Sequence, residues 1–262
     1  MKKIMICMAV LATACLTNVN AREKAPVAKV VNTSSLIQKL PKAGQIVQST
    51  SLGSDFTKYI LSNGVTVLFQ QNNAPTDEVT MYALSCGGTS LYTDVTPANL
   101  KVLNECIAFS GLGNFSEKEL QQKLAGHKVS VTPHVGKYEE YITSKTSQKD
   151  LETMFQLNHL YFTSLRTDLE AFNTWRERTK AENNTHTASL SNTELDAINY
   201  DLVMQLVAQR FSNAEDFTFV ITGNVTESEI IPLVEKYIAS LHTNGKHEQP
   251  NFDMDGYSLS KR

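Results

Sequence analysis

Asn63-Gly64 stands between two short runs of alternating apolar residues. That dipeptide in that setting is the strongest local signal for a β-hairpin, because a type I′ turn requires positive φ at both central positions. Val65, Val67 and Phe69 then fall on one face of the strand leaving the turn, and Val79, Met81 and Ala83 on one face of the next. Three adjacent strands within residues 56–92 make a sheet with one face that must be covered. The rest of the chain supplies the cover.

The chain has 262 residues and is 41% hydrophobic, enough for a real core in one large domain or two small ones. It is not a disordered composition. Its beginning reads differently. Lys2 and Lys3 precede an uncharged, mostly apolar run over residues 4–16, and Val19 and Ala21 put small side chains at −3 and −1 of a cleavage site. Residues 1–21 are therefore expected to be a secretory signal peptide, too short for a membrane span. Lipoprotein anchoring at Cys15 is the weaker alternative, because Leu11 stands one place too early for a lipobox. Without Lys2 and Lys3 the remaining Lys and Arg, two fewer than 24, face 27 Asp and Glu, a net charge of −5. No basic stripe is present, which argues against nucleic acid. Of four cysteines only Cys86 and Cys106 lie outside the signal. Export permits a disulfide, but both read as small buried hydrophobes.

Residues 22–55 contain Pro26, Pro41, Gly44 and Gly53 and little apolar periodicity beyond Leu36, Ile37 and Leu40. They are expected to form a linker or arm. Thr96-Pro97 opens a helix with Leu100, Leu103, Cys106 and Ile107 on its apolar side, ended at Gly111-Leu112-Gly113. Capping-box patterns at Ser116/Glu119, Ser147/Asp150, Thr167/Glu170 and Thr226/Glu229 start further helices. Residues 183–192 are polar and irregular, and a helix is expected over 194–210. Residues 129–133 and 138–144 alternate as strands, and 216–222 form another with Phe217, Phe219 and Ile221 on one face. Pro232 is expected to distort the start of the last helix. Grouped helices and hairpin-paired strands give an α+β fold, a mostly antiparallel sheet covered on one face by helices. The domain is expected over 56–245, with a polar tail over 246–262.

Six segments in register carry a resemblance. They are residues 61–67 (Leu-Ser-Asn-Gly-Val-Thr-Val), 87–92 (Gly-Gly-Thr-Ser-Leu-Tyr), 110–116 (Ser-Gly-Leu-Gly-Asn-Phe-Ser), 120–133, 150–155 and 210–224. In this order they resemble one metallohydrolase-like domain of the insulinase/pitrilysin-type zinc peptidases, the kind also found in mitochondrial processing peptidases. The likeness is greatest to a non-catalytic domain in the C-terminal half of large bacterial periplasmic members, and it covers about residues 56–245. The resemblance implies a periplasmic protein and a fold that recurs, two domains per half, in enzymes whose halves close on an unfolded peptide. It also implies where chemistry belongs. Only the first domain of the N-terminal half carries His-x-x-Glu-His and a distal Glu. There two His and a Glu bind Zn²⁺ and the intervening Glu is the general base.

That motif is absent. The histidines are His127, His134, His159, His186, His242 and His247, and no two are four residues apart. The helix on which the resemblance places the motif, residues 99–107, reads Asn-Leu-Lys-Val-Leu-Asn-Glu-Cys-Ile, with Glu105 its only acid. One carboxylate cannot hold a catalytic zinc. No catalytic, cofactor-binding or metal-binding residue is assigned, and no cofactor is expected. His127, His134, Glu139 and Glu140 come nearest to a ligand cluster but read as surface or turn residues, with Glu139-Glu140 a solvated strand end. His159 reads as a satisfied, partly buried histidine, and Gly87-Gly88 as a bend. No Gly-x-Ser-x-Gly elbow or Walker loop occurs.

The segment between Trp175 and Arg210 is shorter than the family's. The chain stops at Arg262, where a full-length member would continue, so one domain of a four-domain architecture is expected to be exported alone. The function expected is that of a non-catalytic accessory or peptide-binding half that pairs with a separate zinc-bearing subunit in proteolysis. Its partners are then a catalytic zinc-peptidase subunit or unfolded peptide, with no nucleic acid and no membrane span. A truncated remnant without activity is the alternative, and a metallopeptidase in its own right is disfavoured by the missing ligands. The resemblance implies peptide addition to an edge strand; the sequence does not say which strand is the edge.

Overall fold

The hairpin at Asn63-Gly64 forms, but not with a type I′ turn. In the computed structural model, which describes residues 35–53, 56–72, 75–183 and 189–251, the Gly64 N–H donates to the Leu61 carbonyl and the Leu61 N–H to the Val65 carbonyl, both at 2.9 Å. Ser62 and Asn63 are thus the central residues, and Gly64 follows at φ 85°. This is the three-residue loop in which a type I turn is closed by a left-handed glycine. The Asn63 side chain is engaged elsewhere: its Nδ2 donates to the carbonyls of Ile238 and Leu241, both at 3.0 Å. The expected signal peptide at 1–21, the first part of the arm, residues 184–188 and residues 252–262 lie outside the described residues.

The strands are β1 (Ile46–Leu52), β2 (Phe56–Leu61), β3 (Thr66–Gln71), β4 (Glu78–Cys86), β5 (Val129–Val135), β6 (Glu139–Ser147) and β7 (Thr218–Gly223). They form one sheet in the order β1-β2-β3-β7-β4-β6-β5. Among the described residues only β3 and β7 pair in parallel, with Val67 opposite Phe219 and Phe69 opposite Ile221. The alternation read from sequence holds: Val67, Phe69, Val79, Met81, Ala83, Phe219 and Ile221 are all buried on one face. β1 corrects the arm expected over 22–55. Its five middle residues are all exposed. A strand that pairs along one edge and packs neither face leaves no periodicity to read. Of the apolar pins expected in that segment, Leu36 and Ile37 are buried, while Leu40 is 54% exposed.

Eight helices lie among the described residues. They are α1 (Pro97–Lys101), α2 (Leu103–Phe109), α3 (Glu117–Leu124), α4 (Leu151–Thr163), α5 (Leu169–Asn183), α6 (Asn192–Asp196), α7 (Tyr200–Arg210) and α8 (Glu227–Leu233). Of these, α2 and α4 pack on the sheet. The helix expected over 194–210 is two, because Asn199 restarts the chain as a cap, its Oδ1 accepting the Leu202 N–H at 3.1 Å. The capping box at Ser116 and Glu119 forms as expected. Pro232 leaves the start of α8 regular. The irregularity follows it, as a π turn over Val234–Ile238 closed from the Ala239 N–H to the Val234 carbonyl at 2.9 Å. Carbonyls near this widened end accept bonds from other elements. Glu235 accepts from the Gly44 N–H at 2.9 Å, Tyr237 from His159 Nδ1 at 2.8 Å, and Ile238 and Leu241 from Asn63.

Asn63 therefore ties the first hairpin to the end of the last helix. Asn63→Ala, with Gly64 retained, removes the only side-chain donor shared by those two carbonyls among the described residues. It is expected to lower stability by about 1–3 kcal/mol, read as a shifted midpoint in urea unfolding. An unmoved midpoint would mean that water replaces the amide without cost.

Candidate functional site

Chemistry in a domain of this kind would sit where β4 runs into the first helices. β4 ends at Gly87 (φ 149°) and Gly88 (φ 59°), which turn the chain into a short 3₁₀ turn over Gly88–Leu91. A Cβ on Gly88 would lie 2.6 Å from the Gly136 carbonyl oxygen, so the two loops approach too closely for any side chain. The expected single helix then breaks at Val102 into α1 and α2. Leu103, Cys106 and Ile107 of α2 are buried and Glu105 is exposed. Burial, helped by the charge of Glu105, pushes the Cys106 thiol up to about 12, so it is a core hydrophobe and not a thiolate ligand. The donor set of this segment is one exposed carboxylate, which does not fit a catalytic zinc. Among the described residues, no three His, Cys, Asp or Glu side chains converge on a place where a metal could be held.

The residues read as a loose ligand cluster are not brought together. His127 Nδ1 lies 2.6 Å from Asp150 Oδ1, and the other Asp150 oxygen accepts from the Lys128 N–H at 2.8 Å and the Ser147 hydroxyl at 3.1 Å. The capping box expected at Ser147/Asp150 does not form, because this carboxylate faces the start of β5 instead of its own helix. His134 stacks on Tyr141, ring centroids 5.0 Å apart. Glu139 and Glu140 point to opposite faces of β6. Glu140 is not solvated as expected: it is 1% exposed, accepts the Gly88 N–H at 2.7 Å and lies 3.8 Å from Arg210 Nη1. Burial raises its pKa, with the Gly88 N–H and Arg210 opposing. His159 is buried as expected, and burial lowers its pKa against the pull of the Tyr237 carbonyl. Cys86 is exposed and does not pair with Cys106, so the small-hydrophobe reading holds for Cys106 alone.

Two surfaces were not read from the sequence. The first is the sheet face opposite the helices. Leu68, Val220 and Tyr82 lie side by side across β3, β7 and β4, and Leu84, Tyr141 and His134 across β4, β6 and β5. The Tyr82 and Tyr141 rings are 5.5 Å apart. Among the described residues no helix covers this stripe. The unbroken apolar run Met81-Tyr82-Ala83-Leu84 was its signal, since a strand with one wet face would alternate. The second surface is the pair of sheet edges. β5 is capped at one end by Asn104, whose side chain exchanges two hydrogen bonds with the Val135 backbone, at 2.8 and 3.0 Å. Pro133 removes a further donor from that strand. β1 is capped at its first residue by Glu235, whose Oε1 accepts the Ile46 N–H at 3.1 Å, and no charged residue lies within the strand.

The chain matches no profile of a known protein family. It is 21% identical over 231 residues to "Probable zinc protease PqqL" of Escherichia coli (strain K12), across 80% of this chain and 25% of that protein. It is homologous to that stretch and spans about a quarter of the length of this curated relative. The crystal structure of the periplasmic protease PqqL from Escherichia coli superposes with a TM-score of 0.69 at 19% identity, over 87% of this chain and 28% of that one. A mutant of the ferredoxin protease FusC, solved with Arabidopsis ferredoxin, gives 0.66 at 14% identity, over 90% and 28%. The resemblance to a part of a periplasmic zinc peptidase is thus met in sequence and in fold. No described helix is long and apolar enough to cross a membrane.

The Asp150 contacts make a pH prediction. Burial works to raise its pKa, but the Lys128 N–H, His127 and Ser147 outweigh it and hold the carboxyl below its ordinary value. A carboxyl depressed in the fold adds stability above its unfolded pKa, near 4, and loses it as pH falls through the lower folded value. Asp150→Asn is expected to cost about 1–3 kcal/mol at neutral pH. It should also flatten the fall in stability between about pH 5 and 3. Urea midpoints across that range that decline in parallel for the two proteins would exclude it.

Proposed function

We propose that this chain is an exported, non-catalytic, peptide-binding module that works in proteolysis by pairing with a separate zinc-bearing chain. The observation that carries this reading is the contrast between a protease fold and the residues of its α1–α2 segment. The fold shared with PqqL and FusC is kept, while the helix on which catalytic relatives carry their ligands has Glu105 as its only acid and no histidine. Function is argued from the site and not from the fold, and here the site lacks the donors for zinc.

One remaining surface suits binding. The uncharged outer edge of β1 offers an extended peptide a row of backbone donors and acceptors, the arrangement used in strand addition. In this reading residues 1–21 are a signal peptide and the chain works in the periplasm, the compartment named for PqqL. The peptidase-like domain takes in β1 as well as residues 56–245.

The test is recovery of the tagged chain from the periplasm of its own host, with identification of what accompanies it and metal analysis of the complex. An accompanying exported protein with His-x-x-Glu-His, and zinc present only when that protein is present, is the expected result. Stoichiometric zinc in the chain alone, with peptide cleavage that a chelator abolishes, would overturn it. Recovery of neither partner nor peptide would count equally against it.

A further inference from the structure

Arg210, the last residue of α7, is buried, and its guanidinium is held from several sides. Its Nε donates to the Tyr92 hydroxyl at 2.8 Å, and the Tyr92 ring lies 5.0 Å from the guanidinium carbon. Glu140 supplies a buried negative charge at 3.8 Å, outside hydrogen-bond distance, with its other oxygen committed to the Gly88 N–H. Gly87 is needed here: a Cβ at that position would stand 3.0 Å from Arg210 Nη1. The donor fork faces outward. Nη1 and Nη2 meet the two oxygens of Glu248 at 2.6 and 3.1 Å, and the Glu248 side chain is 40% exposed. This is bidentate recognition of a carboxylate.

Glu248 belongs to a polar strap. Residues 244–249 (Asn-Gly-Lys-His-Glu-Gln) are all exposed and include no apolar side chain. Polar contacts hold the strap. Lys246 accepts from Asn213 Nδ2 at 2.7 Å, Gly245 donates to Glu215 at 3.1 Å, Glu248 to Asp216 at 3.2 Å, and Asn251 to Ser90 at 2.9 Å. The receptor is therefore buried and oriented, whereas its occupant is exposed and held by polar contacts. If Glu248 leaves, Arg210 keeps Glu140 beside it, so opening the site does not strand an unpaired buried cation.

We propose that Arg210, Tyr92 and the Gly87-Gly88 turn form a carboxylate-recognition site of which Glu248 is the resident, exchangeable occupant. An acidic side chain or C-terminal carboxylate from another peptide displaces Glu248 and releases the strap. That the incoming carboxylate belongs to a peptide rests on the peptide-binding reading above; the carboxylate chemistry does not.

The experiment follows the Arg210 Nε–H cross-peak and the backbone amides of 244–251 by NMR in the ¹⁵N-labelled protein and its Glu248→Gln variant. Four probes are titrated: N-acetyl-glutamate, an amidated peptide with one internal Glu, an uncharged peptide with a free C-terminus, and an amidated Gln peptide. In the variant the carboxylate probes are expected to move the Arg210 signal saturably toward its wild-type position, and the Gln peptide not to. In the wild type, displacement should need about tenfold more probe if the strap fills the site nine-tenths of the time, and the 244–251 amides should sharpen as it leaves. The two peptides separate side-chain from C-terminal recognition. A response to N-acetyl-glutamate without a response to either peptide supports the site and counts against the peptide reading. No carboxylate-dependent shift in Glu248→Gln, or loss of its cooperative unfolding, would show a structural staple and overturn the proposal.

Discussion

The parallel pairing of β3 with β7 is the contact on which the rest of the structure depends. Without it the sheet is two pieces, β1-β2-β3 and β7-β4-β6-β5. β3 and β4 are joined by only residues 72–77, yet they leave between them a slot one strand wide, about 10 Å across two strand spacings. β7, roughly 150 residues later, fills it. Its Phe219 and Ile221 complete the buried face, and Thr222 meets Thr80 hydroxyl to hydroxyl at 2.8 Å on the other. A pairing this distant in sequence bears a high loop-closure cost and forms late unless the helices between already hold the slot.

The second constraint is polar. The last turn of a helix leaves carbonyls without intrahelical partners, and here those of Glu235, Tyr237 and Ile238 accept from Gly44, His159 and Asn63. Three segments far apart in sequence thereby converge on one helix end. Each contact is modest, but each buried carbonyl left unmet would cost more than the bond contributes. Asn104 does the same for the edge of β5, standing in for a missing strand at Val135. The fold is thus closed by side chains acting as backbone.

How much of this was legible follows from those side chains. Period-two alternation in β3, β4 and β7 could be read because burial on one face dictates residue type at every second position. The Ser116 box could be read because both partners lie within one turn. What could not be read depended on distant partners. The turn type at Asn63-Gly64 was set by carbonyls about 175 residues away. The burial of Glu140 was set by Arg210, and the loss of the Ser147 box by His127 and Lys128. β1 was invisible for a different reason, since a strand with no packed face places no demand on its residue types. The absence of zinc ligands on α2 was legible, because it depends on residue identity alone.

The β5 edge, the start of β1 and the Arg210 fork are met in one way. Where an internal substitute exists, the chain uses it: Asn104 at β5 and Glu248 at Arg210. At the start of β1 it is Glu235, whose Oε1 accepts the Ile46 N–H at 3.1 Å. Leu103, Cys106 and Ile107 hold α2 against the core whatever its exposed side carries, so the residues that fix the helix and those it offers to solvent are separate sets.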